Sequence, residues 1–214
     1  EGPGKDKLRI GVFIYTPTQP DVDPEIRSAT EATAQRLSDM GHKIQWLDAP
    51  AGQQTADDFL LYWAFTALLL QLMLTVAPTA RARKLEPWTR HLAGHARKNL
   101  FKVNGAVKRL RAFDATYSAQ FDTVDILLSP TTAAPAPKIG DLRPDQDFEE
   151  KRDKLLQLLP YTPVQNIAGA PGISMPVGKT KGGLPIGVQL AGPKGGERRL
   201  LELAFALEAA PNIG

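Results

Sequence analysis

Leu8-Arg-Ile-Gly-Val-Phe-Ile-Tyr15 and Lys43-Ile-Gln-Trp-Leu47 bracket the stretch that decides the fold. The first segment is β-rich and apolar at nearly every position, the pattern of a strand covered on both faces. After a proline-broken loop, Asp23-Pro24-Glu25 supplies an N-cap, a first-turn proline and a first-turn acid. Ile26, Ala29, Thr33, Leu37 and Met40 then recur at three and four residues, and Gly41 stands where a C-terminal cap belongs. In the second segment Ile44 and Trp46 alternate onto one side. Strand, helix and strand in this order predict a parallel pair joined by a right-handed crossover. The chain therefore reads as α/β, with a mixed β-sheet flanked by helices.

Outward from this unit, Phe59 to Ala77 carries no charge over nineteen residues, with Asp57-Asp58 and Pro78 at its ends. That length can cross a bilayer, and the basic flank behind it would suit a cytoplasmic anchor. An uncharged helix with Gln71 inside is equally a core helix, or an apolar face awaiting a partner segment. The expectation is a helix mostly buried by protein. Two further helices follow, the second with a stripe of Val103, Val107, Leu110, Tyr117 and Phe121. Val124-Asp-Ile-Leu-Leu128 predicts a short buried strand feeding the proline-fixed loop Ser129-Pro-Thr-Thr-Ala-Ala-Pro-Ala-Pro137. Open α/β sheets place ligands at such strand ends. An acidic stretch from Asp141 to Asp153 leads to a short leucine helix, Leu155 to Leu159. Ile173–Val177, the Gly182-Gly183 turn and Ile186–Leu190 read as two adjacent strands. Gly195-Gly196 then opens a final helix with Leu200, Leu203, Ala204 and Leu207 on one side.

Composition removes several classes of chemistry. Among 214 residues there is no cysteine, so disulfides, thiol catalysis and cysteine–zinc sites are excluded. Glycine and proline number 18 each, which favours a loop-rich mixed chain over a helical bundle. Net charge is +3, yet ten basic residues and only Glu86 lie between Pro78 and Arg111, giving that stretch +9 and the remainder −6. The basic residues interleave with apolar ones at helical spacing and lack stacking aromatics, so they read as solvated helix faces and not as a nucleic-acid site. The polar opening Glu1–Lys7 has no signal-peptide core and no initiator Met. It is expected to be a disordered or linker start, as if cut from something longer, before one domain over residues 8–214 in a cytoplasmic protein.

Motifs that suggest chemistry fail on inspection. Gly172-Ile-Ser-Met-Pro-Val-Gly178-Lys179-Thr180 approaches a phosphate-binding loop, but five residues separate the glycines and a Gly-Gly turn follows where a helix is required. His91 and His95 sit one helical turn apart without the glutamate or third ligand of a hydrolytic zinc site. Ser129 and Ser174 lie beside strand ends, but no G-x-S-x-G elbow exists. A self-contained serine hydrolase is not expected, nor is any metal or cofactor.

Three blocks do carry specific information: Asp125–Pro137, then Tyr161-Thr-Pro-Val-Gln-Asn-Ile-Ala-Gly-Ala-Pro-Gly-Ile-Ser-Met-Pro-Val-Gly178, then Gly183-Leu-Pro-Ile-Gly-Val-Gln-Leu-Ala-Gly-Pro193. With the opening strand–helix–strand they resemble the C-terminal half of the amidase signature family, from Leu8 to Glu208. The resemblance implies amide hydrolysis by a Ser–cis-Ser–Lys triad and a glycine- and serine-rich oxyanion loop, all belonging to the family's N-terminal half. No Gly-Gly-Ser-Ser-Gly run and no matching lysine occur here, so no catalytic residue carries over. This chain alone is expected to be inactive, a fragment, split product or inactive relative. The resemblance further implies that this half completes the sheet and one substrate-pocket wall, with Thr131, Thr132, Tyr161, Gln165 and Asn166 as substrate-binding candidates. Its expected partners are a small-molecule amide or oligoamide and the N-terminal half of the same enzyme. Association, including as a homo-oligomer, is expected from an unfinished surface. The rival readings are a non-catalytic binding or scaffolding domain of amidase-like fold, and a membrane-associated module using the 59–77 helix.

Overall fold

The computed structural model describes residues 2–19, 21–76 and 85–210. β1 (Arg9–Val12), α1 (Pro24–Asp39) and β2 (Lys43–Trp46) form the expected unit, with β1 and β2 paired in parallel. Asp23 caps α1, its Oδ1 accepting from the backbone N–H groups of Glu25 at 2.8 Å and Ile26 at 3.4 Å. At the other end Gly41 takes φ 92°, which a β-carbon would strain. Gly41 N–H then donates to Ser38 O and His42 N–H to Leu37 O, closing the last turn. β1 is shorter than the apolar run suggests, although Phe13 and Ile14 beyond it are buried.

Five strands form one sheet in the order β2-β1-β3-β5-β4. β3 (Ile126–Pro130), buried at every residue, runs parallel to β1 and antiparallel to β5 (Pro185–Ala191). β4 (Gly172–Lys179) pairs antiparallel with β5, so the near phosphate-loop motif is the first arm of a hairpin. One sheet face packs Ile10, Val12, Ile126, Leu128, Val188 and Leu190 against α1 and α7 (Glu197–Ala209). The other packs Phe13, Leu127 and Ala191 against α4 (Leu100–Ala119) and α6 (Pro163–Ala168). Beyond α4 lie α2 (Gln53–Val76) and α3 (Pro87–Lys98), with α5 (Phe148–Leu158) beside them.

Three expectations need correction. α2 is helical, but it is not mostly buried: only 28% of its most apolar stretch is covered, and Leu69, Leu70, Leu72, Met73 and Val76 are exposed. The cause is one-sided packing, since α3 and α4 cover the side of α2 that carries Asp58, Leu61, Ala64, Ala67 and Leu68. By length and composition α2 is the one helix among the described residues that could cross a membrane. The end of the predicted run at Ala77, with Pro78 and the basic residues Arg81, Arg83 and Lys84, lies outside the described residues. α5 begins seven residues before the expected leucine helix because Asp147 caps it through the N–H groups of Glu149 and Glu150. The Asn166-x-x-Gly169-x-Pro171 segment, which reads as a turn in the sequence, forms a short helix, α6, closed by Gly169 at φ 65°.

Residues 2–7 form no helix or strand, and Gly4 N–H donates to Glu202 O at 3.4 Å.

Candidate functional site

The chemistry-bearing groups gather where β3, β4 and β5 meet the N-terminal half of α6. Strand alternation explains the gathering, because residues two apart share a face. On β4, Ile173, Met175 and Val177 turn into the α1–α7 core, which sends Gly172, Ser174 and Pro176 to the opposite face. On β5, Val188 and Leu190 enter the same core, which sends Gly187 and Gln189 the other way. Gln189 is in register with both Ser129 and Ser174, so the three form a polar row across the strands.

The loop after β3 and the helix α6 close on this row. Thr131 Oγ1 lies 2.8 Å from Ser174 Oγ. Gln189 Nε2 donates to Gln165 Oε1 at 2.9 Å, within a buried pair. Gly187 sits between the two hydroxyls, where a β-carbon would stand 3.1 Å from each. Ser174 is exposed, so the row is open to solvent along β4.

Of the five sequence candidates, Thr131 and Gln165 join this row. Thr132 braces its own loop, donating to Ala134 O at 2.8 Å. Tyr161 is completely buried, donates to Ile14 O at 2.6 Å and packs 6.2 Å from the Phe13 ring. Asn166 is exposed on the far side of α6, its Nδ2 donating to Thr162 O at 3.3 Å. Gln189 and Ser174 also belong to this row, and neither is among the sequence candidates. The signal was present in the alternation of small or polar with apolar residues along β4 and β5.

Electrostatics leave this row without a base. Burial pushes the Tyr117 phenol up to about 12, against a smaller opposing effect of its hydrogen bond with Gln165. Tyr117 OH donates to Gly192 O at 3.0 Å. Burial, reinforced by Tyr15, raises Tyr161 as well. Both phenols are therefore protonated donors at neutral pH and cannot take a proton from a nucleophile. The hydroxyls of Thr131 and Ser174 bond to each other, and neither bonds a described histidine, lysine or carboxylate. Among the described residues there is no cis peptide bond and no metal-competent cluster of three or more His, Asp or Glu. His91 and His95 both pack on the Phe148 ring, at 6.0 and 5.8 Å.

The Amidase family model matches residues 3–201. The chain belongs to the Amidase family. A Mycobacterium tuberculosis protein assigned as an amidase, AmiC, is 37% identical over 97% of this chain and 44% of its own length. The structure of 6-aminohexanoate cyclic dimer hydrolase superposes with a TM-score of 0.78 at 25% identity, over 97% of this chain and 46% of that one. A bacterial aryl acylamidase of the amidase signature family shares the fold at a TM-score of 0.73 and 19% identity, covering 96% and 44%. The chain thus spans less than half the length of these relatives.

Proposed function

We propose that this chain is the sheet-completing part of an amidase-family hydrolase and supplies one wall of the pocket for a carboxylic amide. The observation that carries the reading is the polar row Thr131–Ser174 and Gln165–Gln189, exposed at its Ser174 end, at the strand ends of a family member. Its amide, hydroxyl and carbonyl groups can orient the C=O and N–H of an amide, but they cannot activate a nucleophile. Nucleophile, base and oxyanion donors belong to the rest of the family fold, as the resemblance implies. Thr131 and Gln165 face the substrate, Thr132 and Tyr161 hold the loops that carry them, and Asn166 stands on the neighbouring side of α6. The substrate is a small or oligomeric amide, the assembled enzyme is cofactor-free and cytoplasmic, and the partner is the N-terminal half of the same fold.

The test uses this chain assembled with a polypeptide carrying the rest of the amidase fold. Gly187→Ala presses a methyl group against both Thr131 and Ser174, and should lower kcat/KM by about tenfold through loss of oriented binding. Lys108→Ala, on the outer face of α4, should leave it unchanged. Full activity of Gly187→Ala would remove the row from the pocket and favour a scaffolding role.

A further inference from the structure

A concavity lies on the other side of α6 from the polar row. It is an open cavity of about 320 Å³ between α2, α3, α5 and α6. Tyr62 and Trp63 of α2, Trp88 of α3, and Leu155 and Leu156 of α5 form its walls. The two indoles meet edge-on, 6.0 Å apart. At one end stand Thr162 and Asn166, with Arg152 beside them.

The charge at this end decides what could enter. Arg152 already pairs with Glu149 and, at 2.7 Å, with Asp153, so it presents no spare cation to an anionic ligand. Asn166 Nδ2 is engaged with Thr162 O, whereas no described donor reaches its Oδ1. The cavity therefore offers aromatic walls and one carbonyl acceptor. α6 is the shared wall, because Gln165 turns from it to the polar row and Asn166 from it to the cavity.

We infer that this cavity is a subsite for the uncharged apolar part of an amide, an aryl or medium-length alkyl group packed against the edge-on pair Trp63 and Trp88. The volume is at the lower end of the ligand-pocket range, which suits one ring or a short chain. Aromatic walls with few polar groups favour such a group, and an unpaired carboxylate would lose its hydration without a partner. The inference rests on the amide-hydrolase reading for the ligand's amide, but its readout needs no turnover.

Three tryptophans occur in the sequence, and the third, Trp46, lies on β2 away from the cavity. In a Trp46→Phe variant of the 214-residue chain, tryptophan emission reports the cavity alone. Octanamide should change that emission saturably, acetamide should not at equal concentration, and octanoate should bind at least about tenfold more weakly. Leu156→Phe and Thr66→Phe, filling the cavity from α5 and from the exposed side of α2, should each weaken octanamide binding by about tenfold, with unchanged far-UV circular dichroism and melting. If Leu156→Phe does not fold, Thr66→Phe decides. Absence of a saturable change, equal binding of octanoate, or undiminished binding by Thr66→Phe would overturn the inference. Octanamide binding in an assembled protein that hydrolyses no amide would support the subsite while removing the hydrolase reading.

Discussion

Tyr161 joins the loop before α6 to the segment just past β1 through its hydroxyl, which reaches Ile14 O across 147 residues of sequence. Tyr161→Phe keeps the ring packing and leaves the buried carbonyl unsatisfied, so it should cost about 1 kcal/mol in urea denaturation. His42 is a second long-range tie, its Nδ1 accepting from Leu8 N–H at 3.1 Å. Burial first, and Lys7 second, lower its pKa, so the folded chain refuses a proton that the unfolded chain accepts near the ordinary value of about 6.5. Stability is then full above that value and declines as pH falls below it, until the native imidazole also protonates. His95 is lowered chiefly by burial too and adds to the decline. His42→Asn, which retains an acceptor for Leu8, should show a smaller loss between pH 7.5 and 5.5, and an equal loss would refute the assignment. The meeting of Thr131 with Ser174 was legible in part, because a proline-fixed loop after a buried strand places Thr131 at the strand end. Tyr161 was not, because a tyrosine beside a turn reads the same whether its hydroxyl meets a substrate or a distant backbone carbonyl.

At the level of elements, the caps and alternations that depend on neighbouring residues were readable, and the burial that depends on distant ones was not. α1 has its cap, its proline and its terminal glycine within a short stretch of sequence, and it forms as expected. Gly41→Ala should destabilise the chain by at least about 1 kcal/mol by forcing a β-carbon into positive φ. The stripe of α7 was equally plain, and Leu203, 3% exposed, faces the sheet. Leu203→Ala should cost about 2–5 kcal/mol, measured by the same denaturation series. α2 carries no comparable signal. A helix apolar on every side does not say which side is covered, and its packing is fixed by α3, α4 and the bidentate Arg109–Asp58 pair at 2.7 Å. For α6, six residues are too few for a periodicity to register, so only its closing glycine could have revealed it.

Across the whole molecule, a five-stranded sheet ends at β2 and β4, and α2 leaves a run of large apolar side chains uncovered. Unpaired strand edges and apolar patches favour association. Sedimentation of the chain should show dimers or larger species, and Leu72→Glu with Met73→Glu should shift it toward monomer. A stable wild-type monomer would count against an unfinished surface. The relatives, of which this chain covers 44 to 46%, make the same point from length. A chain that holds a pocket wall and no catalytic machinery is inert alone and active only when the rest of the fold is supplied. Hydrolysis of a chromogenic anilide should be at background with the chain alone, and should appear when a polypeptide carrying the rest of the amidase fold is added. Turnover by the chain alone, abolished by Ser174→Ala, would contradict the account.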